Sequence, residues 1–217
     1  RAGEVRPGRG GPGRHRFNGL RGPGSTGDEM STATAVTVVP PAFEVETVAN
    51  TRLLLRVDHD TEDFLIARWL SAWRRQAEFN TQRALLLQTL ELALDEFPVD
   101  GIRLDRTMKN QGAAPTIVSV TYVDEEGVTQ TMASGDYYID ARQSPCWLLP
   151  AVDGSWPATR QQANAVIVRY TAGFSEGNVP EPIWAYVMAN VANSFANRED
   201  AEEVGEGVLA SFTTWGV

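Results

Sequence analysis

A chain of 217 residues with 42% apolar and 22% charged side chains fits one globular domain with tails, and no run nears the roughly 18 apolar residues of a membrane span. The single cysteine, Cys146, excludes an internal disulfide and fits synthesis in a reducing cytoplasm, and the first residues lack the apolar run of a signal peptide. The net charge of −9 hides an asymmetry: residues 1–29 carry six Arg against three carboxylates, and the rest balances at −12, a body that repels nucleic acid.

Residues 1–29 hold nine Gly and three Pro and almost no apolar side chain, so they cannot offset the entropy of ordering and are expected to form a flexible arm. Two readings stand. Arg6, Arg9, Arg14, Arg16 and Arg21 could touch nucleic acid or an acidic partner as an RGG-like arm. Alternatively, residues 1–29 are a translated leader. Met30 opens a conventional start, and Gly27-Asp28-Glu29 can be encoded by GGAGATGAG, which resembles a ribosome-binding site. Residues 31–50 are Thr/Val/Pro-rich and expected to be extended, because Pro40-Pro41 prevents a helix.

From Glu46 the pattern turns helical, with Val48, Leu53, Leu54, Leu55 and Val57 in a short apolar helix. The acidic knot from Asp58 to Asp63 lacks the glycine and distal glutamate of a calcium loop. It reads as a helix start, with Asp60 or Thr61 capping and Glu62 and Asp63 facing the helix dipole. The helix spans 61–81, with Leu65, Trp69, Ala72, Trp73 and Gln76 on its inner stripe, Phe64, Ile66 and Leu70 widening it, and Arg68, Arg74, Arg75 and Glu78 outside.

Period two then takes over. Leu86, Gln88, Leu90, Leu92 and Leu94 alternate along a strand, and 102–104 is a second. Residues 117–123 and 128–132 flank a Gly127 turn as a hairpin. Strands at 137–140, 146–149 and 164–170 complete an antiparallel set of six or seven. Gly173 turns the chain into a Pro-started helix over 181–197, with Trp184, Val187, Met188, Val191 and Phe195 on one stripe. The acidic stretch 199–207 leads to an apolar end without an obvious fold. The fold class is α+β: a small bundle of about three helices with an inserted antiparallel β block and flexible termini. Its parts are the arm 1–45, a helical part 46–84, the β block 85–174, a helix within 175–199 that packs on 61–81, and a tail 200–217.

Chemistry is hard to find here. Cys146 would need a base, and the two histidines are His15, in the Gly/Arg tract, and His59, in a loop. Nothing forms a phosphate loop or a metal-ligand spacing, so no cofactor, metal or enzymatic activity is expected. A nucleic-acid-binding module would rest on the Arg/Gly arm alone.

Several segments in order carry a resemblance. Leu54-Leu55-Arg56-Val57-Asp58, the helix to Arg83-Ala84-Leu85, Gln88–Leu92 with Phe97-Pro98, and Ser119–Asp124 with Gly127-Val128 lead it. Asp136-Tyr137, Trp156-Pro157, Val168–Gly173 and the Val179-Pro180 helix ending at Asn197-Arg198-Glu199 complete it. Over roughly 46–199 the chain resembles the tailed-bacteriophage head–tail connector family, also called adaptor or head-completion proteins. The basic arm and the Pro-rich segment depart from the pattern, and the tail permits no residue-level carry-over.

The resemblance implies a homo-oligomeric ring, typically of twelve copies, in the virion neck. It implies binding below the portal protein, genomic DNA passing through the lumen without specific binding, and a platform for the stopper or tail-completion protein. Another neck component, such as a stopper, is the nearest alternative. On this reading Val208, Leu209, Phe212, Trp215 and Val217 are expected to reach the portal or another neck partner. Trp69, Trp73 and Trp184 are expected at the subunit interface.

Overall fold

The computed structural model of the protein describes residues 34–109, 114–198 and 200–213. Among these the fold is α+β, with eight strands in two antiparallel sheets and four helices, one of them 3-10. In chain order come β1 (Val36–Val39), α1 (Val48–Leu55), α2 (Asp63–Thr81), β2 (Gln88–Leu94), β3 (Ile102–Leu104) and β4 (Thr116–Val123). Then follow β5 (Thr129–Thr131), β6 (Tyr137–Asp140), β7 (Cys146–Pro150), β8 (Val166–Ala172), α3 (Glu181–Ala196) and the 3-10 helix Glu206–Phe212.

The alternating leucines do what their period dictates. Gln88, Leu90, Leu92 and Leu94 point inward from β2, and Val166, Val168, Tyr170 and Ala172 point inward from β8. β2 and β8 pair in register from Gln88 opposite Ala172 to Leu94 opposite Val166. They form the middle of a five-stranded sheet ordered β1-β2-β8-β4-β5. The smaller sheet, β3-β7-β6, adds Ile102, Leu104, Cys146 and Leu148 to the same apolar core. Each fully buried Leu, Ile or Val there contributes about 1.5–3 kcal/mol. Phe97 stacks on Trp156 at 4.8 Å between ring centroids and meets Tyr122 edge-on, closing one flank of this core.

A second core belongs to the helices. Ile66, Leu70 and Ala77 of α2 pack with Ile183, Tyr186, Val187 and Val191 of α3, and with Leu85 and Phe174 from the segments that join helix to sheet. Phe174 N–H donates to Leu85 O, and Leu87 N–H to Phe174 O. That close approach requires Gly173, whose φ is 110° and where a Cβ would lie 2.1 Å from Leu86 O.

Three expectations need correction. First, α2 begins at Asp63, and neither Asp60 nor Thr61 caps it: Glu62 is the N-cap, without a side-chain cap bond. The carboxylates here are engaged by arginines instead, Asp63 by Arg52 at 3.3 Å and Glu62 by Arg198. Second, the inner stripe of α2 centres on Ile66 and Leu70, expected at its margin, and not on Leu65 and Ala72. Ile66, Leu70, Arg74, Ala77 and Glu78 are buried, whereas Leu65 and Ala72 are exposed. The cause is that Arg74 and Glu78, expected outside, have polar partners inside. Third, the tail folds: after the acidic stretch the 3-10 helix places Leu209 in the helical core at 1% exposure.

Candidate functional site

Where the two cores meet, a buried charge network joins them. Glu78 Oε1 accepts from Leu85 N–H at 3.0 Å and from the Gln88 side chain at 2.8 Å. Its Oε2 accepts from Arg74 Nη1 at 2.9 Å and from Arg106 Nη2 at 3.4 Å. Arg74 also grips Glu44 through Nε at 2.9 Å. Two guanidinium groups and two carboxylates balance, so the charges are paired as they leave water. The network ties α2 to the first residue of β2 and to the segment ahead of α1. What it can do chemically is hold these elements in register.

A second polar cluster straps the tail to α2 and α3. Asn190, fully buried, donates to Tyr186 O at 2.9 Å and Val204 O at 2.8 Å and accepts from Val204 N–H at 2.8 Å. Glu203 accepts from the Tyr186 hydroxyl at 2.6 Å and from the Asn80 amide at 2.7 Å. Burial and the Glu203 carboxylate both push the Tyr186 hydroxyl above its ordinary value, so it stays a donor. Neither group announces itself as a unit in the sequence. The usable signals were Asn190 inside the apolar stripe of α3 and the Arg74/Glu78 pair at four-residue spacing.

The three tryptophans expected at a subunit interface lie half-buried in the helical cluster. Trp73 donates its indole N–H to Ser194 Oγ at 2.9 Å and meets Tyr186 edge-on. Trp184 donates to Glu46 Oε2 at 3.1 Å, and Trp69 packs edge-on against Phe195. Burial raises the Glu46 carboxyl, but hydrogen bonds from Thr47, Asn50 and Trp184 outweigh it and hold the group below its ordinary value. Of the tail residues, Leu209 is core, Phe212 packs partly against it and Val208 is exposed. Trp215 and Val217, and the arm residues Arg6, Arg9, Arg14, Arg16 and Arg21, lie outside the described residues.

Cys146 is fully buried, and burial pushes its thiol up, away from the thiolate a nucleophile needs. His59 is in the exposed loop ahead of α2. Among the described residues no three acidic, Cys or His side chains are grouped to hold a metal ion. Of two open surface depressions, one is lined by Ala196, Asn197, Arg198 and Asp200. The other lies between the start of β4 and β6. Neither brings together a nucleophile and a base.

The fold that carries these clusters is a two-sheet α+β fold with a helical pair at one end. No protein-family model and no curated protein matches the chain. Solved structures do. A chain in the neck of an empty gene transfer agent particle, computed with C6 symmetry, superposes with TM-score 0.68 at 21% identity, covering 84% of this chain and 96% of that one. A chain in the virion of the native gene transfer agent particle gives TM-score 0.68 at 22% identity with the same coverage. A chain in the neck of the native particle, computed with C12 symmetry, gives 0.60 at 21% identity, covering 82% and 96%. At this identity the likeness establishes a shared fold over nearly the whole of those chains.

Proposed function

We propose that this chain is a structural protein of the neck of a phage-like particle and, within the neck, the adaptor. Copies form a ring, twelve in the simplest reading, that seats below the portal, extends the DNA channel and offers a platform to the stopper or tail-completion protein. The observation that carries this is the superposition over 84% of this chain and 96% of a chain from the neck of a gene transfer agent particle. Three features agree with it. The segments that resemble head–tail connectors run through both cores. The body is strongly acidic, which lets DNA slide past without counterion-driven adhesion. The buried polar clusters hold elements together and present no reacting group to solvent.

In this reading the protein acts by assembly, without catalysis or cofactor. Val208 and the outer edge of Phe212, continued by Trp215 and Val217, are the proposed contact with the portal, and Leu209 supports them from the core. The arginines of the arm are a proposed contact with DNA or an acidic partner. The test is light scattering of the protein mixed with portal rings from the same particle. The adaptor reading expects a complex of fixed stoichiometry with portal alone. Binding only to a portal already carrying another neck ring would make the chain a stopper. Absence of a complex at every ratio would overturn the neck reading.

A further inference from the structure

The outward face of α2 is unlike the rest of the molecule. Phe64, Arg68, Arg75 and Phe79 fall at spacings of four, seven and four, one stripe about 22 Å long on the side opposite Ile66 and Leu70. Phe64 is 68% and Phe79 70% exposed, and the arginine nearest Phe64, Arg68, lies over its ring at 5.4 Å. Between Phe64 and Phe79 every exposed side chain is apolar or cationic. The two acids of the helix are taken, Asp63 by Arg52 and Glu78 inside the buried network. On a body that balances at −12, a Phe/Arg stripe of this length is a surface awaiting an acidic, partly apolar partner.

Strand registers place such a surface at the far end of the large sheet. β2 starts at Gln88, beside Glu78, and Leu94 at its far end is paired with Val166, which is in turn opposite Tyr122 at the end of β4. The loops after β2 and β4 therefore share the end of the sheet remote from the α2 joint. They expose Glu96, Val99, Asp100, Glu125, Glu126 and Val128, with Val99 93% exposed, and among the described residues the acids there outnumber the single cation, Arg160 beside the Gly127 turn. In the same hairpin, hydrogen bonds from the Gln130 side chain and Val128 N–H hold the Asp124 carboxyl below its ordinary range, so it stays charged. One chain thus carries two complementary surfaces at opposite ends of its large sheet. A closed ring of identical subunits needs two different, mutually fitting faces.

We infer that the α2 stripe of one copy docks on the acidic loop rim of the next copy, so that this head-to-tail contact builds the ring. The inference rests on the adaptor reading above. It is tested by sedimentation velocity, alone and with portal rings, on wild type and two double variants, R68E/R75E and E125R/E126R. Each variant alone sets like charge against like charge and is expected to weaken ring formation by about tenfold or more, with wild-type circular dichroism. An equimolar mixture of the two is expected to restore rings, because alternating copies regain opposite charges at every contact. Phe79→Ser is expected to weaken the ring without altering its salt dependence.

If rings form and both variants assemble at wild-type strength, the neck reading stands and this contact falls. Variants that form rings but lose portal binding would assign the stripe to the portal and overturn the inference. A mixture that stays unassembled would also overturn it. A wild-type chain monomeric both alone and with portal would sink both readings.

Discussion

The sheet core and the helix–sheet joint are built on different physics. Between the sheets the interior is apolar and periodic: Leu90, Leu92 and Leu94 stand beside Tyr170, Val168 and Val166 on one sheet and share a core with Ile102, Leu104 and Leu148 of the other. At the joint the interior is polar and specific, with Glu78 shared among two arginines, a glutamine and a backbone N–H. Losing one methylene from the first costs a cavity. Losing one partner from the second leaves the buried charges unbalanced. The joint is therefore where single changes should do most harm.

Glu78→Ala is the largest such change. It leaves Arg74 and Arg106 with Glu44 as the one remaining carboxylate and removes the acceptor of Leu85 N–H, and should cost about 3–5 kcal/mol in urea unfolding. A loss similar to that of a leucine trimmed at the surface would mean that the network is solvated and the contrast false. Gly173→Ala should cost about 3 kcal/mol, since any Cβ there meets Leu86 O at positive φ. Wild-type stability for that variant would show that the turn can rearrange.

Next in size is Asn190→Ala, expected to cost about 1–3 kcal/mol by orphaning the Val204 N–H and carbonyl. Hydrogen exchange should quicken at Val204 and across 206–209 while β2 and β8 stay protected. Uniform quickening would mean that the strap and the sheet unfold as one unit.

The smallest effect concerns Glu46. Its folded carboxyl lies below its ordinary value of about 4.3, so its contribution to stability is full above that value and is lost as pH falls through the folded one. Trp184→Phe removes one donor and should flatten that acid limb slightly in thermal melts against pH. An unchanged limb would mean that Thr47 and Asn50 alone set the shift.

The same contrast explains what was legible in the sequence. Alternation revealed β2, the Gly127 hairpin and β8, because burial on one sheet face imposes period two whatever lies opposite. The Pro-started helix and the Gly173 turn were equally plain. The inner face of α2 was not, since Arg74 and Glu78 sit inside only because Glu44, Arg106 and Gln88 arrive from distant segments. No local pattern encodes that meeting. The tail was missed for the same reason: Leu209 follows an acidic, Gly-punctuated stretch without a pattern of its own, and its place depends on Asn190 and Glu203 being held elsewhere. The tryptophans were visible, but their indole partners Ser194 and Glu46, which anchor two of them within the chain, were not.

The central claim is that this chain builds a ring in the neck. Its most direct test is an electron cryo-microscopy reconstruction of the particle's neck, with this fold fitted into the layer below the portal. The account predicts a closed ring of this chain in that layer, with α2 of each copy against the loop rim of its neighbour. A neck layer built wholly from other chains would contradict it.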